Sequence, residues 1–110
     1  MTGTIISFTT IEYPNEASME RSLGIFQKEM TALADKLRPL GMIKFHSSRL
    51  FVPEGKLLFG NWLEYRDMAA FEACNNIWEK NGEEFAEKYS GIFDDIKINA
   101  YRGEVFQDWS

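Results

Sequence analysis

The chain has 110 residues, 45% of them hydrophobic and 26% charged, with a net charge of −5 and a pI near 4.9. That length suits one domain, taken as residues 1–110, and the composition suits a packed core rather than a disordered or low-complexity chain. Lys and Arg are spread thinly with no basic run, which argues against a nucleic-acid or anionic-membrane partner, since both require clustered positive charge.

Met1-Thr2-Gly3-Thr4 does not open a basic-then-apolar leader, and nothing approaches the roughly 18 consecutive apolar residues of a membrane helix, so a cytoplasmic, soluble protein is expected. Cys74 is the only cysteine, which rules out an intrachain disulfide. No Cys/His cluster has zinc spacing, so neither a metal nor a cofactor is expected. The aromatic share of 15% is high for a chain this short. A domain of this size buries only about two-thirds of the surface its unfolded chain exposes, so some rings should line a cavity or an interface.

Residues 4–13 (TIISFTTIEY) are rich in β-branched and aromatic side chains and predict a first strand. Pro14-Asn15 breaks it, and Asn15 or Ser18 can cap the helix that follows. Met19, Leu23, Phe26, Met30, Leu33 and Leu37 recur every three or four residues and draw one apolar stripe on that helix. Arg38-Pro39-Leu40-Gly41 ends it. Residues 42–52 predict a second strand, Pro53-Glu54-Gly55 a turn, and residues 56–65 a third strand. Asp67 caps a second helix with the stripe Met68, Phe71, Cys74, Ile77 and Trp78. Asn81-Gly82 is expected to interrupt this helix before Phe85 and Tyr89 continue it, and residues 95–106 predict the last strand.

The order is β-α-β-β-α-β, an α+β, ferredoxin-like arrangement with both helices on one face of an antiparallel sheet. The halves echo each other. Shifted by 52 positions (63 − 11), Ile11-Glu12-Tyr13 falls on Leu63-Glu64-Tyr65, Phe26 on Trp78, and Leu33 on Phe85. Two βαβ units related by a pseudo-twofold would produce this pattern.

The strands are apolar on both sides: Leu57, Phe59, Leu63 and Tyr65 point one way along the third strand, Leu58 and Trp62 the other. Helices cover one face only, so the other calls for a partner, most simply the same face of a second copy. The C-terminal Val105-Phe106-Gln107-Asp108-Trp109 is placed to cross onto that copy.

The strand–helix order and the junction Trp62-Leu63-Glu64-Tyr65-Arg66-Asp67-Met68-Ala69-Ala70-Phe71 resemble the dimeric α+β barrel superfamily. Its members include antibiotic-biosynthesis monooxygenase, heme-degrading and NIPSNAP-like proteins. The resemblance implies a homodimer with a ligand pocket between helices and sheet in each subunit. The residues point the same way: Phe26, Met30, Phe59, Tyr65, Phe71, Trp78 and Phe85 would converge there and suit a flat aromatic or an acyl chain. The reading is therefore a homodimeric binder of a hydrophobic small molecule. The alternative is a cofactor-independent monooxygenase of the antibiotic-biosynthesis type.

His46, the only histidine, joins the pocket set as the one candidate base. Arg49, three residues on, falls on the opposite side of the pleat. Arg102 and Lys44 are candidate anchors for an acidic head group. The Asn, Trp and His set of the heme-degrading members has no counterpart, because strand one holds no Asn and helix two no His. Ser47-Ser48 sits in no nucleophile elbow, and Glu83, Glu84 and Glu87 read as a solvated helix face. Phe59-Gly60 echoes an RNA-stacking motif, but Asn61 stands where its next aromatic belongs.

Overall fold

In a computed structural model, which describes residues 3–109, a four-stranded antiparallel sheet carries two long helices. The readings at Met1, Thr2 and Ser110 lie outside those residues. The strands are β1 (Ile5–Tyr13), β2 (Met42–Leu50), β3 (Leu57–Tyr65) and β4 (Lys97–Glu104), in the spatial order β2-β3-β1-β4. The helices are α1 (Glu16–Leu37) and α2 (Met68–Lys88). This is the ferredoxin-like order that the sequence pattern predicts.

The capping chemistry sets both helix starts. Asn15 Oδ1 accepts from the Ser18 amide at 2.8 Å, and Asp67 Oδ1 accepts from the Ala70 amide at 2.8 Å. At the far end of α1 a short 3₁₀ turn (Arg38–Leu40) leads into Gly41, whose φ of 110° only glycine adopts without strain. A Cβ there would also stand 2.5 Å from the Ala70 Cβ, so the turn is fixed by packing as well as by backbone conformation.

Both strand bounds and the course of α2 differ from the sequence pattern. β2 stops at Leu50, ahead of a turn in which the Gly55 amide reaches the Val52 carbonyl at 3.4 Å. β4 starts at Lys97, because Asp95 takes a φ of 60°, which a strand does not accept. α2 runs unbroken through Asn81-Gly82. An interior glycine costs a helix about 1 kcal/mol, and the buried Phe85 one turn on holds the continuation in place. Leu23 and Met68 belong to the predicted stripes but are each 44% exposed, at the borders of their helices' buried faces.

The internal echo is real in three dimensions. Adding 52 to the bounds of β1 gives 57–65, the bounds of β3. The two strands pair with each other so that Thr9 faces Asn61, its own equivalent (9 + 52), and the pseudo-twofold passes between them. Ile5, Leu63, Tyr65 and Met42 pack against Leu33, Leu37, Ala70 and Cys74, and Ile11, Tyr13 and Phe59 pack against Met19. All these strand residues share one pleat face, which is the helix-covered one.

Candidate functional site

The helices do not fill the space above the sheet. Along the internal echo, Met30 of α1 corresponds to Gly82 of α2 (30 + 52), and Glu29 to Asn81. The second half thus has no side chain where the first has a long one, and a Cβ on Gly82 would meet nothing within 4 Å. Two cavities adjoin at Phe26 and Met30, which line both. The larger, about 390 Å³, lies between α1 and β2–β3 and is lined by Met19, Leu23, Phe59, Ser47 and Arg49 among others. The smaller, about 230 Å³, lies over the pseudo-twofold, with Ser7, Thr9, Ile11, Asn61, Leu63 and Tyr65 from β1 and β3. Asn75, Trp78, Asn81, Gly82 and Phe85 contribute from α2, and Phe93, Ile98 and Arg102 complete it.

The polar groups of the smaller cavity are fixed by their neighbours. Ser47 Oγ donates to Asn61 Oδ1 at 2.6 Å, which commits the amide oxygen and leaves the Asn61 N–H groups as donors. Trp78 Nε1 donates to the Tyr65 hydroxyl at 3.1 Å, leaving the phenol its own proton to give. Burial pushes Tyr65 up to about 12, so it remains a neutral donor across the ordinary pH range. Asn75 Nδ2 turns away to Glu79 Oε1 at 3.3 Å. Cys74 is wholly buried against the Leu37 carbonyl, 3.6 Å from its Sγ, and burial pushes its thiol up, away from a reactive thiolate. Among the described residues no group of three or more His, Cys, Asp or Glu side chains is placed to hold a metal ion.

Of the residues singled out from sequence, Phe26, Met30, Phe59, Tyr65, Trp78 and Phe85 line one or both cavities. Phe71 stands outside both linings. Its ring meets Tyr65 edge-on at 5.4 Å, and the Arg102 guanidinium lies over it at 5.4 Å. His46 requires correction: it pairs with Trp62, whose pleat face is the one away from the helices, and the sheet separates it from both cavities. The bulge in β2 falls between Met42 and Lys44, ahead of His46, so strict alternation then fixes its side. Lys44, opposite Glu64, shares that outer face. Arg49 reaches the larger cavity but is paired with Glu16 at 3.2 Å.

The sequence reading missed Ser7, Asn61 and Gly82. A readable signal existed for Asn61: it is a polar residue at an inward position between Phe59 and Leu63, and a polar side chain facing a core is the informative exception.

Compared with known proteins, the chain matches a domain of unknown function, DUF6974, over residues 2–105, and it belongs to that family. No protein of curated function matches its sequence. A dimeric ferredoxin-like protein from an uncultured marine organism superposes with a TM-score of 0.86 at 21% identity, over 97% of this chain and 99% of that one. A candidate antibiotic biosynthesis monooxygenase from Bacillus cereus gives 0.65 at 15% identity, covering 98% of each chain. A Bacillus halodurans protein of the ethyl tert-butyl ether (ethd) family gives 0.65 at 16% identity, over 93% of this chain and 98% of that one. These likenesses, at 15–21% identity, establish the ferredoxin-like fold. Among the described residues no helix is long and apolar enough to cross a membrane.

Proposed function

We propose that the protein is a homodimeric binder of an apolar small molecule held between the helices and the sheet. The observation that carries this reading is the pair of adjoining cavities with rings and Met30 as walls and a few fixed donors at the floor. Pockets that hold small molecules share that build, an apolar lining with a few placed polar groups. Two further features support the dimer. The outer sheet face carries Ile6, Phe8, Leu58, Trp62 and Tyr101, with Tyr101 62% exposed. Beyond β4, Phe106 and Trp109 are 91% and 78% exposed, which suits docking onto a second copy. The marine relative in fold is itself a dimer.

Native mass spectrometry of the purified protein tests this reading, before and after gentle denaturation. A dimer that carries an added mass of a few hundred daltons or less, lost on denaturation, is the expected result. A monomer would overturn the dimer. A dimer on which neither a co-purified mass nor any added apolar compound is retained would overturn the binding role.

The likeness to the Bacillus cereus protein supports a second reading, oxygenation of a bound quinol-type substrate without a cofactor. His46 lies on the wrong side of the sheet to act as its base, and Tyr65 and Asn61 are the polar groups that would face such a substrate. Oxygen uptake with a panel of quinols tests this directly, and no uptake on any of them overturns it.

A further inference from the structure

Charge separates the smaller cavity from the rest of the molecule. The chain as a whole is acidic, with a net charge of −5. Yet among the described residues the only formally charged one that lines this cavity is Arg102, and no Asp or Glu lines it. The other arginines of the chain are engaged. Arg38 pairs with Asp35, Arg49 with Glu16 and Arg66 with Asp67, and Arg21 donates to the Ser90 carbonyl at 2.9 Å. Among the described residues Arg102 has no carboxylate or carbonyl partner, and its guanidinium lies over the Phe71 ring, 5.4 Å from the ring centre. A cation–π contact uses none of the guanidinium's N–H donors for a hydrogen bond, and those donors match the two oxygens of a carboxylate.

The neighbouring groups are of the same sign. The Asn61 amide offers N–H groups because its oxygen is taken by Ser47, and the Tyr65 hydroxyl offers its proton because it already accepts from Trp78. Arg102 is close enough to Tyr65 for its charge to act on the phenol. A set made of one cation and two oriented neutral donors is matched by an anionic acceptor and left unpaired by a hydrocarbon. The remaining walls, Phe26, Met30, Phe85 and the open slot at Gly82, are matched by an apolar body.

Resting on the binding role above, we propose that the smaller cavity takes an apolar carboxylate. Its head group is held by Arg102 and its body lies under α2 beside Gly82. Met30 divides the two cavities. Methionine is unbranched and flexible, so its displacement lets a longer body extend into the larger one.

Calorimetric titration with matched probes tests this: 2-naphthoate against 2-naphthalenemethanol, and octanoate against octanol. Each pair keeps the body and removes the charge. The dimer should bind at least one acid about tenfold or more tighter than its alcohol, as one charge-assisted hydrogen-bond pair implies. Arg102→Gln should erase that preference and Arg102→Lys should keep part of it. Arg102 is exposed on an edge strand, so both variants are expected to fold. Gly82→Leu should abolish binding of both members of the pair, and the Trp78 indole N–H signal should shift with the acid while that of Trp62, on the outer face, stays put.

If acid and alcohol bind equally, or if Arg102→Gln leaves the acid's affinity unchanged, the carboxylate assignment is wrong and the apolar binding role stands. If none of the four probes binds, and no co-purified mass is found, both fail together. The rigid acid points to an aromatic ligand and the flexible one to an acyl chain.

Discussion

Both faces of the sheet carry large apolar side chains, but the two sets meet opposite fates. On the inner face, Ile5, Phe59, Leu63 and Tyr65 are all at most 4% exposed, and the polar residues among them, Ser7 and Asn61, are buried too. On the outer face the ring centres of Phe8 and Trp62 lie 5.9 Å apart, and no helix or strand of the described residues covers them. There Gly60 makes room for Phe8 and Leu50, whose atoms would stand 3.1–3.2 Å from a Cβ at that position. The lesson is that alternation within a strand records which side chains share a face, whereas what covers the face depends on elements elsewhere in the chain or in another one. Opposed charges bracket the outer apolar patch, Glu12 facing Lys97 at one end and Glu64 facing Lys44 at the other.

The sharpest way to break the comparison is to charge the outer face. If the proposed dimer forms through this face, Trp62→Glu should shift it toward monomer in light-scattering measurements, since each copy would then bury an unpaired carboxylate in an apolar interface at a cost of several kcal/mol. A dimer of unchanged mass would mean that this face stays bare.

On the inner face the largest effect is expected at the closed end. Leu37 is 0% exposed, and Leu37→Ala should lower stability by about 2–5 kcal/mol in urea unfolding at fixed protein concentration. The cost near the cavities should be smaller, because their walls already tolerate empty space.

Next comes the alkaline limb. Tyr65 is raised from 10.0 to about 12 by burial, so the unfolded chain ionises first. Its contribution is fully present below pH 10 and is lost as pH rises toward 12, an effect of about 2–3 kcal/mol. Tyr65→Phe should flatten that part of the stability profile. Tyr13, raised by burial, and Tyr89, raised chiefly by its hydrogen bond to Glu29, leave a residual slope.

The smallest effect carries the most information about the cavity. Gly82→Ala should stabilise the protein by about 1 kcal/mol, because it improves the helix interior and meets no neighbouring atom. Destabilisation in thermal or urea unfolding would mean that the slot beside Gly82 is not open.

Much of this was legible in advance, for physical reasons that differ by element. The caps Asn15 and Asp67, the stops at Pro39 and Gly41, and the period-two alternation of β3 are local rules, and each appears where the residues put it. Six of the eight side chains read as pocket residues line a cavity because helical and strand periodicities both record which side faces the sheet–helix interior. His46 failed because one strand sequence of mixed polarity does not say which of its two faces is inner. Only the pairing of Met42 with Tyr65 and the bulge that follows decide it.

The amino-acid order by itself therefore determined the elements, their β-α-β-β-α-β sequence and the internal twofold, all of which follow from short-range propensity and periodicity. Tertiary structure decided that Gly82 opens a space instead of breaking a helix. It also brought Arg102 of β4 beside Asn61 and Tyr65 of β3, across the whole of α2, and put His46 behind the sheet. Those outcomes rest on register and on contacts between residues far apart in the chain, which no local pattern encodes.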